Sequence, residues 1–153
     1  MKPEEMKPKE MKQEARIFVY QLQILERHLD TFGHVNNAVY LDIFEEARWD
    51  FITKNGYGLD YIKQTQIGPV ILEANIKYKK EVKNREWIQI FSQSRPGKHE
   101  RLIEIEQILK NDKDQICCQA NFITGVFDLQ KRCLIQGSSD WLKAIGMISH
   151  ENQ

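Results

Sequence analysis

The sequence predicts an α+β fold in which an antiparallel sheet packs on one long helix, within a single domain. Three observations point there. One long stretch, residues 37–54, repeats its apolar residues at helical spacing. After it the dominant period becomes two, as in half-buried strands. The later strands are joined mostly by short turns, which favours antiparallel pairing.

The elements follow in chain order. Residues 1–15 read MKPEE-MKPKE-MKQEA, a crude five-residue repeat rich in Lys and Glu with two prolines. Such a segment buries too little apolar surface to offset its ordering entropy. It is expected to be a disordered charged tail ahead of one domain spanning 16–153. Residues 16–25 read as a strand with Phe18, Tyr20, Leu22 and Ile24 on one face, and 26–36 as a loop. In the helix 37–54, Val39, Tyr40, Ile43, Ala47 and Phe51 face the core. Asn36 is the expected N-cap, and Asn55-Gly56 the stop, because glycine readily takes the left-handed conformation. A short helical turn is expected around 59–63. Val70, Leu72, Ala74, Ile76 and Tyr78 then alternate with polar residues. Strands follow at 87–94, 101–110 and 115–128. Ser94-Arg95-Pro96-Gly97-Lys98 reads as a turn, and Ser138-Ser139-Asp140 as the cap of a short final helix. The helix covers one sheet face; the other face and the edges need cover as well, which self-association would supply.

Composition narrows the function. In 153 residues, 22 basic and 22 acidic side chains balance, which argues against a protein dominated by nucleic-acid binding. No apolar run reaches the roughly 18 residues of a membrane span, and the N-terminus lacks the apolar core of a signal peptide. The expected location is the cytoplasm, with Cys117, Cys118 and Cys133 as reduced structural residues. Cys117 and Cys118, adjacent in a strand, are expected to point to opposite faces. Neither cysteine adjoins a helix N-terminus or a base in sequence, so neither is an obvious nucleophile. No metal-ligand spacing appears.

The informative segment is Asp30-Thr31-Phe32-Gly33-His34-Val35-Asn36-Asn37-Ala38-Val39-Tyr40. It sets a carboxylate, a glycine and an imidazole just before a helix begins. A helix start presents unpaired N–H groups, suited to a developing oxyanion. A nearby carboxylate acts as nucleophile or as base toward water. Thioester hydrolysis needs both. The same residues also suit a purely structural loop, with Asp30 as a cap and Gly33 permitting a tight turn.

This D-x-x-G-H-V-N-N-x-x-Y pattern, with Glu45-Glu46-Ala47-Arg48 on the helix, resembles the 4-hydroxybenzoyl-CoA thioesterase-like group of hotdog proteins, and most nearly its bacterial long-chain acyl-CoA thioesterase branch. Ile67-Gly68-Pro69-Val70-Ile71 resembles the start of that family's second strand, and Arg95-x-Gly97-Lys98 its hairpin. The resemblance spans about residues 16–130. It implies a curved antiparallel sheet wrapped around one long helix, subunits joined edge to edge, and sites at the interface. It implies an acyl-CoA thioesterase that needs neither cofactor nor metal. Asp30 then serves as nucleophile or general base, and the Asn37 N–H polarises the thioester carbonyl. The chain departs from the pattern in carrying His28 where an additional Asp often stands, Glu81 for a Pro, and Arg85-Glu86 for Gly-Asp. Plant acyl-carrier-protein thioesterases carry an Asn where Phe32 stands, so their asparagine-dependent mechanism is not expected.

Other candidates complete the set. His34 either orients water or substrate or is a loop residue bonded to backbone. Gly33 and Tyr40 are candidate substrate contacts. Arg95 and Lys98, with His99 and Arg101 nearby, form a basic hairpin for CoA phosphates or an ordinary solvated turn. Glu45 reads as structural. Phe32, Tyr40, Phe44 and Trp49 either shape an acyl tunnel or fill the core. The expected assembly is a homodimer or homotetramer. The competing functions are a non-catalytic acyl-thioester binding module and another hotdog enzyme such as an acyl-thioester dehydratase.

Overall fold

The computed structural model describes residues 15–149; all but the last residue of the charged segment 1–15 lies outside them. Within them the chain forms β1 (Ile17–Gln23), α1 (Val39–Lys54), α2 (Leu59–Thr65), β2 (Ile67–Tyr78), β3 (Trp87–Pro96), β4 (Leu102–Asn111), β5 (Ile116–Asp128), β6 (Cys133–Ile135) and α3 (Ser139–Ala144). A short 3-10 turn, Glu26–His28, follows β1. Sheet order is β1-β3-β4-β5-β2, with β6 added to β5. Every ladder is antiparallel. This is the expected α+β hotdog arrangement, with α1 on the inner face of the sheet.

The alternation of β3 and β4 explains the core. Ile88, Ile90, Ser92 and Ser94 point inward from β3, and Ile103, Ile105, Gln107 and Leu109 from β4. Phe44, Ile43, Ala47 and Tyr40 of α1 meet them. A second cluster gathers Phe51, Ile52, Tyr57, Ile105, Val126, Trp141 and Ile145 at the far end of α1. A polar bracket fixes the helix on the sheet. Arg48 Nη1 donates to Gln107 Oε1 at 2.8 Å, and Gln107 Nε2 donates to the Phe44 carbonyl at 3.0 Å and Ser92 Oγ at 2.9 Å. The Arg48 guanidinium lies 4.3 Å over the Phe122 ring. Burial draws its pKa down to about 10, so it remains charged at neutral pH.

Several expectations need correction. The helix starts at Val39, and its N-cap is Ala38, with no side-chain bond. Asn36 instead caps the preceding turn: its Oδ1 accepts the Ala38 N–H at 2.9 Å and its carbonyl the Val39 N–H at 3.0 Å. On β2 a bulge between Ile71 and Glu73 shifts the register. Ala74, Ile76 and Tyr78 pair with the inward-facing Phe122, Ala120 and Cys118, while Val70 pairs with Gly125 on the outer side. The bulge, an extra residue facing one partner, reverses the alternation. A second shift at Leu109/Lys110 places Cys117 and Cys118 in the same core cluster rather than on opposite faces. The outer sheet face mixes Gln89, Gln93, Glu104, Glu106, Gln119 and Asn121 with the half-buried Phe91, Ile108 and Ile123. Exposed apolar residues line both edge strands, Ile71, Leu72 and Tyr78 on β2 and Ile17 and Val19 on β1.

Candidate active site

The loop between β1 and α1 is folded by its own backbone. The Asp30 N–H donates to the His34 carbonyl at 2.8 Å, and the Gly33 N–H to the Asp30 carbonyl at 3.1 Å. Leu29 and Val35 bridge across the loop. Gly33 has φ +79°, in the region where a side chain is strained. The loop is then fastened to the β2–β3 connection: the Val35 N–H donates to the Val82 carbonyl at 3.0 Å, and His34 bridges Lys83.

This turn holds the Asp30 carboxylate. Oδ1 accepts the Phe32 N–H at 2.8 Å and the His34 N–H at 3.2 Å. Among the described residues both hydrogen bonds use Oδ1, so Oδ2 is left for water or substrate. The Asn37 N–H, two residues before α1, has no acceptor among the described residues. Its carbonyl accepts from Tyr78 Oη at 2.9 Å, which ties this turn to the end of β2. A carboxylate with one oxygen fixed and one open, in the same loop as an unpaired N–H, can deliver or activate an attacking oxygen while the N–H receives carbonyl charge.

The structure places the other candidates unequally. His34 stands in the same loop, its Nε2 3.2 Å from Glu81 Oε2. Glu81 fills the site of the proline noted above and is a neighbour that the sequence did not reveal. Tyr40 is 4% exposed and packs edge-on against Tyr78 at 5.3 Å, so it belongs to the core of the single chain; burial raises its hydroxyl pKa well above the usual tyrosine value. Phe44 is core as well. Phe32, beside Asp30, is 84% exposed. Glu45 accepts from Trp49 Nε1 at 3.3 Å, a helix-surface bond consistent with a structural role. Burial raises the Cys117 thiol and pushes Cys118 up to about 12, so neither forms a ready thiolate.

Arg95 and Lys98 are not brought to Asp30 within one chain. They lie at the Pro96 end of β3, whereas the Asp30 loop adjoins its Trp87 end, about 30 Å away for a strand of this length. Arg95 is paired with Glu106 at 3.0 Å. Lys98 lines a cavity of about 210 Å³ with Leu102, Gly125, Trp141 and Met147. Neither this cavity nor those of about 220 Å³ between β1 and α1 and about 90 Å³ between α1 and β2 is lined by Asp30, His34 or Asn37. No group of three or more His, Cys, Asp or Glu residues able to hold a metal occurs among the described residues.

With this geometry in place, similarity to known proteins is informative. The sequence model of the thioesterase-like superfamily matches residues 25–146. The long-chain acyl-CoA thioesterase FadM of Escherichia coli strain K12 is 29% identical over 119 residues, covering 76% of this chain and 89% of that protein. The hypothetical protein SAV2348 of Staphylococcus aureus, solved in complex with CoA, shares the fold at TM-score 0.79 and 13% identity, over 87% of this chain and 84% of that one. YbaW, a probable thioesterase from Escherichia coli, matches at TM-score 0.73 and 23% identity, over 84% and 96%.

Proposed function

The chain belongs to the thioesterase-like superfamily and is a thioester hydrolase; we propose that its substrates are acyl-CoA thioesters and that Asp30 and the Asn37 N–H carry the reaction. The observation behind this assignment is the one-sided hydrogen bonding of Asp30 in a loop that also carries an N–H with no acceptor among the described residues. The likeness to the E. coli acyl-CoA thioesterase supports the substrate class. As general base, Asp30 takes a proton from water; the water oxygen bonds to the carbonyl carbon, the C–S bond breaks, and CoA leaves as thiolate. As nucleophile, Asp30 first forms an anhydride that water then opens. In both routes the carbonyl oxygen gathers charge beside the Asn37 N–H. Carboxylate, N–H and water suffice, so no cofactor is invoked. Phe32, projecting next to Asp30, is placed to touch the acyl group or a second subunit.

A second copy of the chain completes the site in this reading. The exposed apolar residues of β2 and its unpaired backbone edge are suited to pairing with another β2. A two-fold pairing sets the Ile67 end of one β2 against the Tyr78 end of the other. That carries each basic hairpin toward the other subunit's Asp30, the arrangement in which Arg95 and Lys98 meet CoA phosphates. Light scattering at micromolar concentration is then expected to give a dimer or tetramer, and an active monomer contradicts it. We place the enzyme in the cytoplasm, where its free buried cysteines remain reduced; no helix among the described residues is long and apolar enough to cross a membrane.

The test is release of free thiol from a panel of aliphatic and aromatic acyl-CoAs. Turnover of at least one class is expected. Binding without thiol release would mark a non-catalytic module instead.

A further inference from the structure

His28 is 8% exposed and stands two residues before Asp30. Its Nδ1 accepts the Leu25 N–H at 2.9 Å, and its own N–H returns to the Leu25 carbonyl at 2.9 Å, closing the 3-10 turn. Its carbonyl accepts the Asn36 N–H at 2.9 Å. One residue therefore anchors both ends of the segment 29–35: the turn that delivers Asp30, and the asparagine that leads to Asn37. An imidazole nitrogen that accepts from an N–H carries no proton, so the ring is the neutral Nε2–H tautomer.

Resting on the assignment of Asp30 and Asn37 above, we propose that His28 is a positioning residue, and that its neutral imidazole holds the Asp30 carboxylate and the Asn37 N–H in working register. Protonation converts Nδ1 from acceptor to donor, so that two N–H groups face each other and the Leu25 bond is lost. The charged groups around the ring do not favour that change. Arg27, on the same turn, opposes a second positive charge. Glu46, from α1, favours it but is engaged by Tyr20 from β1. Burial is the largest influence and holds the His28 pKa below its ordinary 6.5. Neutral His28 thus persists at neutral pH, and the bond from the Leu25 N–H to the imidazole is lost only as the medium becomes acidic. An aspartate, as often found at this position in the resembled family, would offer its carboxylate oxygen to the same N–H and remain an acceptor to lower pH. With histidine, this chain exchanges that tolerance for an acid limit closer to neutrality.

The experiment combines pH–rate profiles with nitrogen-15 NMR. His28→Asn places an amide oxygen where Nδ1 lies, an acceptor that does not titrate. Wild type is expected to lose kcat/KM on an acid limb below pH 6.5, with KM little changed. The Asn variant is expected to retain neutral activity and move that limb to the lower range where carboxylates titrate. His28→Leu, with no acceptor, is expected to lose activity at every pH. In the wild type, Nδ1 should show the unprotonated signature at neutral pH, and the Leu25, Phe32 and His34 amides should shift at the His28 midpoint. An unchanged acid limb in the Asn variant overturns the proposal, as does titration of His28 with those amides unmoved. If no acyl-CoA is hydrolysed at all, the substrate assignment fails while the amide shifts still decide the role of His28.

Discussion

At its C-terminal end α1 is closed. The Asn55, Gly56 and Tyr57 N–H groups return to the Phe51, Thr53 and Ile52 carbonyls, and Asn55 Nδ2 reaches across to the Ala144 carbonyl at 2.8 Å. Trp141, 1% exposed, packs edge-on against Tyr57 at 5.2 Å over this end. At its N-terminal end closure is incomplete, although Asn36 accepts the Ala38 and Val39 N–H groups. Ala38 provides no side-chain cap, the Asn37 N–H meets no acceptor among the described residues, and the Asp30 carboxylate of the preceding loop is held by one oxygen only. A helix end with paired groups and an aromatic cover contributes stability. An end with an unpaired donor and a half-bound carboxylate in its leading loop forgoes some stability and keeps groups ready for a reacting carbonyl. The contrast assigns stability and chemistry to opposite ends of one element.

Substitutions at the two ends can break that division. The largest effect is expected from Trp141→Ala, which empties a fully buried site and should cost about 3–5 kcal/mol in urea unfolding. The folded fraction should turn over thioester at the wild-type rate; a fall in its kcat would show that the closed end also serves chemistry. A matched pair of glycines sharpens the comparison. Gly33 and Gly56 both have positive φ, and a Cβ at either would meet nothing within 4 Å. Alanine at each should therefore cost about 1–2 kcal/mol from backbone strain alone. Only Gly33→Ala should also lower kcat, because Gly33 shapes the turn around Asp30. Equal kinetic effects would dissolve the distinction.

The smallest effect concerns the exposed pair behind the active loop. Arg85, itself at φ +65°, donates to both oxygens of Glu26 at 2.7 and 2.8 Å. Arg85 and Asn84, with the turn backbone, lower the Glu26 pKa from 4.5 to about 2. Stabilisation from this pair is therefore present above pH 4.5 and is lost as pH falls through about 2. Glu26→Gln should flatten this part of the stability–pH curve, and added salt should shrink the difference, since the pair is solvent-exposed. An unchanged slope would show that the pair does nothing for the loop.

Much of this architecture was readable in the sequence, and what escaped has physical reasons. The 3.6-residue period of α1 and the Gly56 stop are local, and the helix falls within two residues of expectation. The bulge at Leu72 is not local: it depends on the register against β5, so simple alternation misassigns Val70. β6 has three residues, too few for a periodic signal. Arg48 and Gln107 look like surface residues, yet they satisfy one another in the core, a pairing between α1 and β4 that no spacing discloses. In the site, Asp30, Gly33, His34 and Asn37 were legible because one short loop holds them. Tyr78 and Glu81 come from distant chain. The separation of Arg95 and Lys98 from Asp30 appears only once β3 is laid out between them.

On the proposed mechanism Asp30 acts on the thioester rather than merely shaping its loop. Asp30→Asn separates the two roles, since the amide Oδ1 can still accept from the Phe32 and His34 N–H groups but is a poor base. The measurement is steady-state hydrolysis of an acyl-CoA by wild type and variant, with calorimetric titration of a non-hydrolysable thioether analogue to verify binding. Unchanged binding is expected, with kcat reduced about 10²–10⁴-fold, or more if Asp30 is the nucleophile. A variant that binds the analogue and hydrolyses at the wild-type rate would show that Asp30 is a loop cap and nothing more.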